Sequence, residues 1–252
     1  MILGNGHPNG HCTSCENCPL RRCPALREFT AEELAFVKEL KVDELRVDPG
    51  ISFLREGTRS DYLYTVLQGW AFRFKMLDDG RRQILNYALP GDLLGLQGAL
   101  MREMEHSVEA LTPLTLCVFP RRKLWDLYSQ FPSLAFDVTW LGSREEQLID
   151  ENLLSVGRRT ALERTAYVLL HLYVRAHEAG LTRNDAIQFP FTQQHLADTL
   201  GMSLVHTNKT LKRLSGSNAI RWKDRVFELR DREALVRMAG EDLSQARARP
   251  FL

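Results

Sequence analysis

The spacing of apolar and polar positions divides the chain into three textures. Between Glu44 and Phe119, short runs rich in Tyr, Phe, Val and Ile alternate with turn signals. The runs are YLYTVLQG, WAFRFKML, RQILNYAL and TLCVF; the signals are Asp-Pro-Gly, Gly69, Asp-Asp-Gly and Pro-Gly-Asp. Strands of this length at about ten-residue spacing predict an antiparallel barrel or double-sheet roll. Asp79-Gly80 predicts a hairpin turn, because glycine takes a positive φ without steric cost.

Helical spacing flanks this β region. Thr30 with Glu33 three residues on forms a capping-box pattern, so a helix is expected over residues 31 to 40. Phe29 and Leu34 would add the hydrophobic staple. From Phe131 onward, FPSLAFDVTWLGSREEQLIDENLLSVG carries apolar residues at 134, 138, 141, 148, 149, 153 and 156. A seam spaced by threes, fours and sevens predicts one long helix, packed on its own barrel or paired with a second copy as a coiled coil. RRTALERTAYVLLHLYVRAHEAG predicts another helix, ended by Gly180.

The third texture is polar and basic. Thr192 caps a short helix, Gly201 breaks it, and Ser203 caps a second one carrying His206, Asn208, Lys209, Lys212 and Arg213. Helix, glycine turn and basic helix make a helix-turn-helix unit, and IRW with RVFEL adds a two-stranded wing. Residues 1 to 10 and 240 to 252 look like loose ends.

Composition adds one asymmetry. Apolar residues make up 44% and charged residues 26% of the 252, ordinary for a globular chain, and the net charge is +1. From Arg158 to Leu252, however, 16 Lys and Arg face 10 Asp and Glu, a balance of +6, against 17 and 22, a balance of −5, before it. A basic last third suggests a polyanion partner. No run of eighteen apolar residues and no secretory signal is present, so a cytoplasmic, membrane-free location is expected. No catalytic motif for an enzyme is visible: no Ser/His/Asp constellation, Gly-rich phosphate loop or HExxH.

The cysteines carry the remaining chemistry. Cys12, Cys15, Cys18 and Cys23 crowd into HCTSCENCPLRRCP, while Cys117 stands alone in TLCVF. In a reducing compartment such clustering points to metal or redox chemistry rather than disulfides. Four clustered thiols could hold zinc, although the usual layout separates two C-x2-C knuckles. Thiolates beside Arg21 and Arg22 could also form a metal-free thiol–disulfide switch. His7 and His11 read as loop residues rather than ligands.

LYTVLQGWAFRFK, PGDLLGL, RRTALERTAYVLLHL and TQQHLADTLGMS, in that order, resemble the CRP/FNR transcription regulators. The resemblance spans about Phe29 to Leu235 and implies an α+β architecture. Its parts are a cysteine-rich segment at 1–28, a cyclic-nucleotide-binding-like β-roll at 29–130, a dimerisation helix at 131–157 and a winged helix-turn-helix at 158–252. It further implies a homodimer, a roughly palindromic double-stranded DNA operator and RNA polymerase as a partner.

Sensor chemistry varies within this family. The cyclic-nucleotide branch uses a Glu where this chain has Leu96, and an Arg-Ser pair where it has His106-Ser107. A cyclic phosphate is best held by a permanently cationic forked donor, so cyclic nucleotide is not expected. The FNR branch holds an oxygen-sensitive [4Fe–4S] cluster on three N-terminal cysteines and one distant cysteine, and Cys117 resembles the distant one. By that resemblance the ligands are Cys15, Cys18, Cys23 and Cys117. The spacing Cys12-x2-Cys15-x7-Cys23 keeps Cys12 open as the alternate to Cys18.

The start of the second helix of a helix-turn-helix reaches base edges in the major groove. Ser203, Val205, His206, Asn208 and Lys209 hold those positions, with Thr192, Gln193, Lys212 and Arg213 as phosphate anchors. Val205 and Asn208-Lys209 replace the family's usual Glu and Ser-Arg or Gly-Arg pair, so the usual operator does not transfer. Valine can meet a thymine methyl, asparagine can pair with adenine, and lysine can reach guanine or a phosphate. Leu204 and Leu211 are expected in the motif's own core.

Overall fold

The computed structural model describes residues 12–23, 25–241 and 249–252. Its first half is a roll of two four-stranded antiparallel sheets. One sheet orders β1 (Asp43–Val47), β8 (Leu114–Pro120), β3 (Tyr62–Gln68) and β6 (Leu93–Leu94). The other orders β2 (Ser52–Leu54), β7 (Ser107–Ala110), β4 (Ala71–Met76) and β5 (Arg82–Ala88). The β4–β5 hairpin turns through Asp79-Gly80, with Gly80 at φ +84°. Gly69 is fixed more tightly: a Cβ there would sit 2.4 Å from the Pro113 carbonyl oxygen.

Side-chain alternation along β3 and β8 feeds two different cores. Tyr64, Val66, Leu116 and Val118 face the inside of the roll. Leu63, Leu67, Cys117 and Phe119 face outward into a second cluster with α1 (Ala31–Leu40), α3 (Leu124–Gln130) and α4 (Pro132–Arg158). A strand covered on both faces reads as a nearly continuous apolar run, as β3 does. A short helix α2 (Leu96–Met101) lies between β6 and β7.

Thr30 and Glu33 close the expected capping box on α1. Phe29, expected as half of a staple, has its ring on Phe251, with centroids 4.7 Å apart. The apolar seam of α4 is divided in its exposure. Leu134, Val138, Leu141 and Leu148 are buried within the chain, whereas Ile149, Leu153 and Val156 stay exposed, Leu153 by 72%.

The second half begins at Thr160, which caps α5 (Ala161–Glu178) through a second capping box with Glu163. It continues through β9 (Ala186–Gln188), α6 (Gln193–Leu200) and α7 (Leu204–Gly216), then β10 (Ile220–Lys223), β11 (Val226–Leu229) and α8 (Arg232–Ala239). The wing is three-stranded rather than two-stranded, ordered β10-β11-β9, because Ile187 pairs with Phe227 and enters the same core.

That core does not stop at the boundary between the halves. Trp70, Phe72 and Tyr87 of the roll join Phe189, Phe191 and Leu196 in one buried cluster. Polar contacts frame it: Arg82 pairs with Asp198 at 2.8 Å, Gln83 Nε2 donates to the Thr199 carbonyl at 3.0 Å, and Tyr87 Oη meets Thr199 Oγ1 at 3.0 Å.

The expectation of a loose end at 240–252 is corrected in part. Residues 1 to 11 and 242 to 248 lie outside the described residues, but Phe251 and Leu252 are buried in the outer cluster of the roll. Two large apolar side chains lose too much by staying in water when an apolar groove is within reach. Arg249 bonds the Asp92 carboxylate at 2.8 Å, and Arg175 of α5 grips its other oxygen. Burial pushes the Asp92 pKa up, but the two guanidinium groups and the Leu89 amide outweigh it and hold it below the ordinary value.

Replacing Asp92 with Ala leaves two buried cations without a partner, so Asp92→Ala is expected to lose about 3–5 kcal/mol of stability. Urea denaturation measures this. In the native chain the Asp92 contribution is complete above the unfolded carboxylate pKa of about 3.9 and is lost as pH falls through the lower folded value.

Candidate functional site

The cysteine-bearing segment folds as two single turns of 3-10 helix, Cys15–Asn17 and Pro19–Arg22. Ser14 caps the first turn, and Pro19 starts the second, where its missing N–H costs nothing. Leu20, 5% exposed, pins the segment into the outer cluster of the roll. Lys41 anchors the segment's start, donating to the Thr13 carbonyl and to Glu44 Oε1, each at 2.7 Å. Neither Lys41 nor Glu44 was flagged by sequence; pairing of Glu44 with Cys117 across β1 and β8 makes them neighbours of the distant cysteine.

Cys117 is buried mid-strand on the outward face of β8, and burial pushes its pKa up to about 12 against the opposing field of Lys41. Cys15 and Cys18 are half-buried, and each thiol is likewise raised mainly by burial and eased by Lys41. Both also raise the Cys117 thiol, so the three sulfurs share one electrostatic neighbourhood. Cys23 packs on the same apolar cluster, and its thiol donates to the Glu178 carbonyl of α5 at 2.6 Å. Cys12 is exposed, with its sulfur 3.7 Å from Asp43 Oδ1.

The donor set is chemically suited to a thiolate-ligated iron–sulfur group: soft sulfurs from a short loop and from a strand, on the lip of one apolar core. The sulfurs are neighbours rather than a gathered set. Among the described residues, no three Cys, His, Asp or Glu side chains stand close enough to hold a metal ion. His7 and His11 lie outside the described residues.

A cavity of about 370 Å³ opens between the roll and α4, lined by Arg73, Asn86, Leu96, Gln97, His106 and Glu145 among others. Burial, helped by Arg73 and Lys75, lowers the His106 pKa to about 3, so its imidazole is neutral. The Arg73 guanidinium is occupied by Glu145 and by the Leu93 carbonyl at 2.9 Å.

In the second half, α6 faces the roll and α7 faces outward. Thr192 caps α6, accepting from the His195 amide at 3.2 Å, and Thr192 and Gln193 are exposed. Ser203 caps α7, and Ser203, Val205, His206, Lys209, Lys212 and Arg213 are all exposed. Asn208 is half-buried with its Oδ1 closed off from solvent and unpartnered, so a two-point contact with adenine requires it to rotate outward. Leu211 is buried as expected, whereas Leu204 is 39% exposed. Capping by Ser203 places Leu204 in the first helical turn, beyond the packed face.

Comparison with known proteins matches a cyclic nucleotide-binding domain over residues 44–131 and a Crp-like helix-turn-helix domain over residues 163–238. The nitrogen fixation regulation protein FixK of Bradyrhizobium diazoefficiens is 30% identical over 213 residues, 84% of this chain and 87% of the relative. The transcriptional activator protein FnrL of Cereibacter sphaeroides is 27% identical over 90% of this chain and 92% of its own length. The crystal structure of FixK2 from Bradyrhizobium japonicum superposes with a TM-score of 0.71 over 81% of this chain and 98% of that chain, at 24% identity, which establishes likeness of fold.

Only a thiolate attacks an alkylating reagent. In reduced, metal-free protein at pH 8, iodoacetamide is expected to modify exposed Cys12 first and to leave Cys117 intact until the chain unfolds. Peptide mass spectrometry of a time course checks this order.

Proposed function

The chain belongs to the CRP/FNR family of transcription regulators, and from that premise we propose that it senses oxygen or redox state through a [4Fe–4S] cluster held by Cys15, Cys18, Cys23 and Cys117. It is a DNA-binding regulator of this type rather than an enzyme. Among the described residues, no helix is long and apolar enough to cross a membrane. The observation that carries the sensing proposal is that Cys18 and Cys23 pack on the same apolar cluster as Cys117, about a hundred residues away in sequence. Such a cluster, when bound, supplies a centre that oxidants dismantle.

The chain's own groups favour that ligand set. Lys41 keeps its positive charge beside the thiols and lowers the cost of forming thiolates there. Cys23 can ligate only by giving up its bond to Glu178, which links the ligand set to α5 of the DNA-binding half. Cys12 points to Asp43 and serves as the spare. The neutral His106 and the occupied Arg73 argue against capture of a cyclic phosphate.

On the DNA side, Ser203, Val205, His206, Asn208 and Lys209 would meet base edges from α7, while Thr192, Gln193, Lys212 and Arg213 set register on phosphates. The exposed row Ile149, Leu153 and Val156 on α4 offers the face for a second copy, and the resulting two-fold would require a roughly palindromic operator. Such a regulator acts on transcription through RNA polymerase.

Protein purified without oxygen is expected to be coloured, to contain iron and acid-labile sulfide, and to bleach in air. Ser replacement of Cys15, Cys18, Cys23 or Cys117 should abolish the colour and Cys12→Ser should spare it; a colourless, zinc-loaded protein would overturn the proposal. On DNA, Lys212→Ala is expected to weaken binding about equally across operator sequences and to lower the salt slope by about one. Val205→Ala should cost about 1 kcal/mol at one base pair only, the order of the apolar contact that is lost, read by anisotropy titrations on single-base operator variants.

A further inference from the structure

The two halves are joined covalently through Arg158, Arg159 and Thr160, between the end of α4 and the start of α5. One such junction is a hinge, and a domain on one hinge can swing. The chain makes a second attachment about ninety residues later. After α8, the segment Arg249–Leu252 lies against the first half, not the half that it follows.

Three kinds of contact hold it. Its backbone pairs with the cysteine-bearing segment: Arg249 N donates to the Ala25 carbonyl and Arg27 N to the Arg249 carbonyl, both at 2.8 Å, around a parallel bridge between Leu26 and Arg249. The Arg249 guanidinium spans the turn before β6, at 2.8 Å from Asp92 Oδ1 and 2.9 Å from the Pro90 carbonyl. Phe251 and Leu252, 4% and 3% exposed, enter the cluster that contains Leu20, Leu26 and Cys117. Gly91, at φ +90°, lets the segment approach closely: a Cβ there would meet Arg249 Nη2 at 3.0 Å and Leu26 at 3.3 Å.

The other end of the attachment also meets the DNA-binding half. The Asp92 carboxylate that receives Arg249 also receives Arg175 of α5, and Arg175 Nη1 donates to the Tyr87 carbonyl of β5 at 2.9 Å. Tyr87 in turn holds Thr199 of α6. A continuous set of contacts therefore runs from Leu26, through Arg249 and Asp92, to the α6 surface that seats the helix-turn-helix on the roll.

We propose that Arg249–Leu252 is an interdomain strap. It closes the chain into a ring through the cysteine-bearing segment and fixes the DNA-binding half on the β-roll. The packing of that segment thereby sets how firmly the helix-turn-helix is held. A second attachment on one chain acts at high effective concentration, so a few contacts suffice to suppress the swing that one hinge allows. The strap stands on packing and does not depend on which cofactor the cysteines hold.

Amide hydrogen exchange on reduced, metal-free protein without DNA tests it. Three variants are compared with the full chain: one ending at residue 248, Arg249→Gln and Leu26→Ala. The shortened chain is expected to exchange at least tenfold faster at Leu26–Phe29, at the end of α5 and at Asp198–Leu200 of α6, while the β3–β8 ladder keeps its protection and reports an intact fold. Arg249→Gln should give a smaller increase at the same amides. Leu26→Ala, which touches neither half of the DNA-binding contact directly, should also accelerate exchange in α6. Loosening confined to residues 25–29 would overturn the proposal, because the segment would then be local packing only. Loss of protection in the β3–β8 ladder of the shortened chain, with Arg249→Gln unchanged from the full chain, would overturn it equally. A failed iron and sulfide assay would leave these outcomes untouched.

Discussion

The carboxylate of Asp92 is the point on which both halves of the molecule depend. It is taken out of water and repaid by two guanidinium groups and the Leu89 amide. The cost of burying a carboxylate is several kcal/mol, so it is tolerated only with such full compensation. One arginine comes from α5 and the other from the segment after α8, whereas Asp92 belongs to the roll. Neither arginine could be so buried unless the other parts of the chain were already in place. This makes a single side chain the common reference for the sensor half, the DNA-binding half and the segment at 249–252.

Around that point the apolar packing does two jobs. The alternation of β3 and β8 gives the roll an inner core and a separate outer one, and Cys117 falls on the outer side. The cysteine-bearing segment is held to the same outer surface by Leu20. Cys18 and Cys23 pack on that outer surface beside Cys117, and none of the three is part of the roll's inner packing. The cluster that joins Trp70, Phe72 and Tyr87 to Phe189 and Phe191 does the second job, turning α6 inward and leaving α7 with its basic and polar face toward solvent.

The consequences for a regulator are geometric. A change in the cysteine-bearing segment meets α5 through Cys23 and Glu178, and meets the 249–252 segment through Leu26. The first contact is with α5 of the DNA-binding half, and the second is with the segment whose Arg249 shares the Asp92 carboxylate with Arg175 of α5. The long helix α4 contributes differently: Leu134, Val138, Leu141 and Leu148 are buried within the chain, while Ile149, Leu153 and Val156 in its second half are exposed.

Local signals in the sequence determined much of this protein. The capping box at Thr30, caps at Thr192 and Ser203, glycine turns at Gly80 and Gly201, and two-residue alternation act over a few residues, and each element they imply is present. The strength of the α4 pattern was equally legible, but periodicity names a buried face without naming what buries it, so only packing could divide that seam between the roll and open solvent. The cysteine spacing announced soft-ligand chemistry, yet Lys41 and Glu44 became part of it only because β1 lies beside β8. The ending Arg-Pro-Phe-Leu looked loose because four residues carry no period. Its burial comes from a cluster that gathers Leu20, Leu26, Val37, Leu93, Cys117 and Leu134 among others, and a contact that depends on such distant residues exists only once the chain has folded.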